Sequence, residues 1–349
     1  MKTLVSGLLG FLLLDGMPVA SADTARIQAV ILDAETNEPI KGCEVIGSFH
    51  MKSGIRAWTD PVPPNVARVK TDINGRCVLE GETDEGRAGC WVTSPPPEGY
   101  YDSLKAGVFR YSRKNVFGVW QPDNLVATIK LQRVEYPIPL FLKQFADVAS
   151  DSVLSDLFAI GHGSLQLDMV KGDWLPPVGK GERADVVFNR LPREGLGNGI
   201  NPRGKIAPAY RDSMSVRFIG NGNGLVEVES PVAAGLKIRN APEEGYRQTY
   251  VCWKERRKDL SRASNFDAKR NFAFRIRTER DKSGRITSAY YGKIYGDICF
   301  KKLIGVDVEA VASPCFLYYL NPTPNDRNLE WDMKNNLCPN PGNIGRPMP

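Results

Sequence analysis

The chain has 349 residues, 42% of them hydrophobic and 25% charged, with a formal net charge of +6. That length exceeds one ordinary domain and predicts two, with enough chain to bury a large core without staples. The 33 glycines and 25 prolines, with few long stretches of 3.6-residue periodicity, argue against a helical bundle and for an all-β protein.

The N-terminus reads as a secretory signal. Lys2 supplies the positive start, Leu4 to Leu14 form an apolar run, and Ala20-Ser21-Ala22 places small residues before a cleavage site. The run is shorter than the roughly 20 apolar residues a membrane span requires. No later stretch is apolar enough to cross a membrane. Residues 1–22 are therefore expected to be removed and the mature chain exported, to the periplasm or the medium. Seven cysteines follow: Cys43, Cys77, Cys90, Cys252, Cys299, Cys315 and Cys338. In an oxidising compartment some of them should pair, and the odd count leaves at least one over. None forms a C-x-x-C pair, so a thioredoxin-like or zinc-ribbon site is not indicated.

Residues 23–135 read as a first domain. Arg26–Asp33 is a β-rich run, Ala34–Pro39 a turn, and Ile40–Val45 the start of a second strand in which Pro39 fixes φ. Asn74-Gly75 inside Thr71–Gly75 is a hairpin turn signal. Further strands are expected at Arg76–Gly81, Ala88–Thr93, Gly107–Tyr111 and Leu125–Arg133, the last alternating apolar and polar residues. About seven short strands with regular turns fit a sandwich. The pattern Val30, Asp33, Thr36, Pro39, Ile40, Gly42, Val45, followed by Thr71, Asp72 and Gly75, resembles the carboxypeptidase-regulatory or transthyretin-like domain. The resemblance covers about a third of the chain. It implies a seven-stranded sandwich that serves as an accessory spacer or adhesion module and is rarely catalytic. Cys43 stands where that family usually has a small alanine and Cys77 where it often has a core aromatic, both inward-facing. The resemblance therefore implies a Cys43–Cys77 disulfide, with Cys77–Cys90 as the rival pairing.

Residues 136–337 read as a second, larger β-rich domain, a sandwich or jelly roll, followed by a flexible tail over 338–349. Tyr136–Lys143, with alternate prolines, is expected to be an extended linker. Asp151–Phe158 reads as a short helical turn. Strands are expected at Leu165–Val170, Asp185–Phe188, Met214–Gly220, Gly224–Glu229, Phe272–Arg280, Ile286–Ile298 and Cys315–Leu320. Asn221-Gly222-Asn223 and Asp281–Gly284 are hairpin turn signals, and Trp253–Ala263 a candidate helix. KGDW with PVGKG, the YYGKIYGDI strand and the closing YYLNPTPNDRNLEWD are similar to a group of exported bacterial proteins in which such a region follows the same N-terminal module. That resemblance implies architecture and no activity.

The motifs of common chemistries are missing. The two histidines are His50 and His162. A metallocarboxypeptidase needs a glutamate three residues after its first histidine, and Leu165 stands there. H-E-x-x-H, G-x-S-x-G and P-loop patterns are absent. No catalytic residue, cofactor or metal ligand is expected. The oxygen-rich run Asn325–Asp332 lacks EF-hand spacing and reads better as a capped turn than as a calcium loop. A hydrolase with paired carboxylates is the rival reading, since no spacing rule excludes it. Asp168 and Asp173 beside Trp174 are its nearest candidates, although a turn aspartate and a core tryptophan explain them more simply. The charge is uneven: Lys237–Lys302 holds 18 Lys/Arg against 8 Asp/Glu, a segment suited to polyanions or simply a solvated face. Export argues against nucleic acid and leaves glycans and other anionic envelope polymers. Trp174, Tyr291 and Tyr319 are the candidate stacking residues. In the Tyr290-Tyr291 and Tyr318-Tyr319 doublets one ring of each pair should face solvent, unless packing between sheets takes both. The sequence therefore predicts an exported, non-catalytic two-domain protein of envelope binding or adhesion, with a polysaccharide as its candidate ligand.

Overall fold

The computed structural model describes residues 24–49, 65–83, 89–101, 107–145, 164–228, 238–267, 269–302, 312–339 and 341. The expected signal sequence at residues 1–22, the candidate helical turn at 151–158 and both histidines lie outside them. The described residues are all β, and none of their elements is a helix long and apolar enough to cross a membrane. The chain forms two compact units, Met1–Leu131 and Gln132–Pro349.

The first unit contains β1 (Thr24–Asp33), β2 (Glu44–Phe49), β3 (Asn65–Lys70), β4 (Arg76–Glu82), β5 (Gly89–Thr93), β6 (Gly107–Arg110), β7 (Arg113–Lys114), β8 (Trp120–Gln121) and β9 (Val126–Leu131). One sheet has the order β4-β1-β9, with β1 antiparallel to β4 and parallel to β9. The other has the order β3-β2-β5-β6. Strict alternation drives this arrangement. Ala25, Ile27, Ala29 and Ile31 of β1 are fully buried, as are Val45 and Phe49 of β2 and Leu79 of β4, and all join one core with Ile129 and Leu131 of β9.

Two expectations for this unit are corrected. The Thr71–Gly75 turn closes as foreseen, with Asp72 Oδ1 accepting from the Asn74 and Arg76 amides at 2.8 Å each. The strands on either side do not form a hairpin, however: β3 pairs with β2, and β4 with β1. A turn signal specifies a local reversal, and burial decides which sheet each flanking strand joins. The Cys43–Cys77 bridge is not formed, nor is Cys77–Cys90; among the described residues no two cysteines are joined in a disulfide. Cys43 Sγ lies 3.1 Å from Ser94 Oγ, while Cys77 opposes Ala29 and Cys90 opposes Phe109 on different sheets.

The second unit contains β10 (Ile138–Phe145), β11 (Ser164–Asp168), β12 (Asp173–Trp174), β13 (Val186–Arg190), β14 (Glu194–Ile200), β15 (Ile206–Phe218), β16 (Gly224–Glu227), β17 (Thr249–Arg256), β18 (Arg262–Ser264), β19 (Asn271–Arg280), β20 (Ile286–Lys302), β21 (Ala312–Leu320) and β22 (Trp331–Asn336). A six-stranded sheet has the order β16-β19-β20-β21-β10-β22. A seven-stranded sheet runs β12-β11-β13-β15-β17-β18, with β14 also on β15. An aromatic core including Trp174, Phe188, Phe218, Phe272, Phe274, Phe316 and Tyr318 fills the space between the sheets. A second cluster, with Leu140, Leu142, Tyr291, Tyr295, Tyr319 and Trp331, covers the other face of the six-stranded sheet.

Three expectations fail here for physical reasons. Tyr136–Lys143 is no linker: β10 is an interior strand, antiparallel to β21 and parallel to β22, and its one proline, Pro139, sits where the ladder to β22 is irregular. Trp253–Ala263 is no helix. β17 pairs along β15 and turns back through Leu260, at φ 61°, into β18. Asn221-Gly222-Asn223 joins β15 of one sheet to β16 of the other, so it is a corner between sheets. The Asp281–Gly284 hairpin between β19 and β20 does form.

Candidate functional site

The sequence candidates for stacking are mostly consumed by packing. Tyr319 is fully buried, edge-on to Tyr295 and Trp331. Trp174 is 6% exposed, packed against Phe145 and Phe188. Tyr319 is out of a ligand's reach because the six-stranded sheet is covered on both faces, so neither ring of the Tyr318-Tyr319 doublet faces solvent, and Trp174 because it packs in the core between the two sheets of this unit. Asp168 and Asp173 are likewise occupied. Asp173 accepts from the Trp174 and Lys180 amides at 2.8 and 2.9 Å. Asp168 accepts from the amides of Val170, Lys171, Glu182 and Arg183 and from Arg277 Nη2 at 2.7 Å. Burial alone would raise its carboxyl, but the backbone donors and the Arg277 charge outweigh it and hold it below the usual range. Arg277 also reaches Asp185, at 2.9 and 3.0 Å. Burial pushes the Asp185 carboxyl up against that partner. Arg277 sits at a bulge of β19, at φ 53°, which turns its side chain onto the pair. Both aspartates of the sequence pair, Asp168 and Asp173, thus sit in hydrogen-bonded turns.

Tyr291 is also nearly buried, 5% exposed in the cluster over the other face of the six-stranded sheet, but it borders a cleft. It opposes Arg275 directly across β19 and β20. The two residues belong to an open cleft of about 960 Å³ that also presents Tyr246, Arg280, Arg285 and Arg327. Its walls are the Asn221–Asn223 corner, the Glu243–Gln248 segment, the β19–β20 hairpin and the loop at Asn325. Each wall is held by the backbone. Asn223 Oδ1 accepts from the Thr278 amide at 2.9 Å, and its amide group donates to the Ile219 carbonyl. Gly222 is at φ 80°, where the turn favours glycine, and the free end of Arg280 lies beside it, 3.0 Å from where a Cβ would stand. Leu225 and Arg247 exchange backbone hydrogen bonds that fix the Glu243–Gln248 segment. Asn325 accepts from the Ala289 amide and donates to the Thr287 carbonyl, pinning its loop to β20.

The arginines are positioned in different ways. Arg275 is 5% exposed and is neutralised by no carboxylate among the described residues. It donates to the carbonyls of Gly222 (2.7 Å) and Glu243 (3.1 Å), and its guanidinium lies 4.4 Å from the Tyr246 ring centre. Burial pushes the Tyr246 hydroxyl up despite Arg275 nearby, and that hydroxyl donates to the Pro242 carbonyl at 2.7 Å. Arg327 bridges Glu243 at 2.9 Å, Arg285 bridges Asp281 at 3.1 Å, and Arg280 donates to the Gly284 carbonyl. Four arginines thus meet two lining glutamates, Glu243 and Glu244, both exposed. Planar guanidinium forks suit carboxylate, sulfate or phosphate groups. Arg275, Arg280 and Arg285 fall in the basic Lys237–Lys302 segment, which was the usable sequence signal; Arg327 and the cleft itself gave none. The Asn325–Asp332 run forms capped turns, with Asp326 accepting from the Asn328 amide and Asp332 from those of Lys334 and Asn335. Among the described residues no group of His, Cys, Asp or Glu is arranged to hold a metal.

No family model matches the sequence, so the transthyretin-like naming gains no support from one. No curated protein matches it either. Among solved structures, the C-terminal domain of the shaft pilin SpaA from Lactobacillus rhamnosus GG aligns over 32% of this chain and 98% of its own, at 18% identity and a TM-score of 0.20. A streptococcal ancillary pilin aligns over 60% of this chain and 57% of its own, at 12% identity and a TM-score of 0.22. The full-length major pilin SpaD from Corynebacterium diphtheriae aligns over 88% and 84%, at 9% identity and a TM-score of 0.23. Likeness at this level carries no argument about what the chain does.

Proposed function

We propose that this is an exported, non-catalytic β-protein that binds an acidic polysaccharide of the cell envelope or its surroundings through the arginine-lined cleft of its second unit. The observation that carries the reading is the convergence of Arg275, Arg280, Arg285 and Arg327 on one open cleft of about 960 Å³, with Arg275 held by backbone carbonyls. Residues 1–22 serve as the signal, residues 23–135 as an accessory sandwich and residues from 136 on as the binding domain; the flexible tail expected over 338–349 is corrected at its start, since Cys338 is buried in the core and the Pro341 carbonyl accepts from the Gln144 amide. The periplasm or the extracellular space is where such a ligand is met. An open, basic groove suits a repeating anion, since adjacent charges engage adjacent arginines and diffusion toward the site is steered. The hydrolase alternative is disfavoured: Glu243 and Glu244 are exposed, and Glu243 is tied to Arg327.

Calorimetric titration of residues 23–349 with polygalacturonate, alginate, dextran sulfate and neutral dextran tests this. Binding to the anionic chains at low salt, weakening as salt rises, and none to neutral dextran is the expected result. Equal binding to neutral dextran, or no binding to any anionic chain, overturns it.

A further inference from the structure

β20 and β21 place Cys299 directly opposite Cys315 in an antiparallel ladder. Side chains of such a pair share a face. Their Cα atoms stand about 4.5 or 5.5 Å apart depending on the hydrogen-bonding type of the site, and both spacings fall in the range a disulfide spans. Cys299 Sγ lies 3.7 Å from the Cys315 carbonyl oxygen, so the thiol already lies over its cross-strand neighbour. They are also the two half-buried cysteines; the other five are buried. The buried thiols are directed elsewhere, Cys43 toward Ser94 Oγ and Cys252 toward the Met214 carbonyl.

We infer that Cys299 and Cys315 form a cross-strand disulfide once the chain reaches an oxidising compartment, by exchange with an external protein disulfide. The inference rests on the export proposed above. The thiolate of one cysteine attacks the external disulfide, forming a mixed disulfide and releasing one external thiol. The second cysteine's thiolate then displaces the other external sulfur. The two cysteines lose two electrons and two protons in all, and the external disulfide takes them up as two thiols. Cys315 and burial push the Cys299 thiol up from its ordinary value. The closed segment, residues 300–314, loses freedom in the unfolded chain, which is where the bridge stabilises.

The test uses residues 23–349 purified from a reducing cytoplasm, incubated natively with oxidised glutathione, alkylated and mapped by peptide mass. The expected result is one linked peptide pair joining Cys299 to Cys315, and an unfolding temperature that falls on adding reductant in the parent but not in Cys299→Ser. Full alkylation of both residues after oxidation, or their linkage to other cysteines, overturns the inference. A second sample of the full chain, expressed in a host and fractionated, separates the two claims. A chain that forms the bridge in glutathione but stays unprocessed in the host cytoplasm contradicts the export reading and leaves the pairing standing, whereas an exported chain with both residues alkylated overturns the pairing.

Discussion

The two units solve the same packing problem with different materials. The first builds its core mainly from alanine, isoleucine, valine and leucine on strands that alternate inside and outside. Its described ion pairs, Arg26–Glu80 and Arg68–Glu44, are exposed and contribute little. The second fills its core with aromatic rings, buries one sheet on both faces, and ties its sheets together with charged groups that are almost out of water. Asp297 accepts from Tyr250 at 2.8 Å and from Arg270 at 2.5 Å, and Arg277 joins Asp168 to Asp185. An aliphatic sandwich needs only area removed from water. A sheet covered on both sides must in addition satisfy every polar group it encloses, and this makes the second unit both more specific and more fragile.

The contrast is sharpest at Arg277. Replacing it by methionine strands two buried carboxylates, and chemical denaturation should show a loss of about 3–5 kcal/mol. A loss no larger than that of an exposed pair in the first unit, such as Arg26→Met, would erase the contrast. Asp168→Asn should cost about 3 kcal/mol at neutral pH, the upper end for hydrogen bonds to a charged group. Asp168 is held below its ordinary value, so its contribution is present above the unfolded carboxyl's value of about 4 and is lost as pH falls through the lower folded value. The gap between Asp168→Asn and the parent should therefore close below about pH 4. Asp185, pushed the other way by burial, should cost less at neutral pH when replaced by asparagine. Denaturation curves for both variants across that range check the ordering. Gly292→Ala comes next. A Cβ there would overlap the Phe274 ring and the Tyr319 carbonyl, and overpacking should cost about 2 kcal/mol. The smallest effect belongs to Arg285→Gln, an exposed cleft residue that should change stability by less than about 0.5 kcal/mol.

The same contrast explains what the sequence made legible. In the first unit, period-two alternation and short turns located β1, β4, β5 and β9 within a residue or two, because one buried face writes one clear pattern. Asn-Gly turns at Asn74 and Asn221 reported chain reversal correctly but not pairing, which depends on burial far along the chain. In the second unit, β10 carries Pro139, follows Pro137 and is buried on both faces, so it read as a linker. The Tyr318-Tyr319 doublet read as half exposed because alternation gives facing, and only the covering segments decide whether a face meets water. Tyr291 was the one stacking candidate that reached the cleft. The basic segment pointed toward it, yet Arg327 arrives from a separate loop, and a cleft assembled from four chain segments leaves no local motif.

The claim that the cleft binds an acidic polysaccharide is tested most directly by the triple variant Arg280→Gln, Arg285→Gln, Arg327→Gln, which keeps the inner Arg275. Titrated with polygalacturonate beside the parent at one ionic strength, it should bind at least about tenfold more weakly, a change of about 1.4 kcal/mol, with an unchanged unfolding midpoint. Affinity equal to the parent's, in a variant that folds as the parent does, would contradict the account.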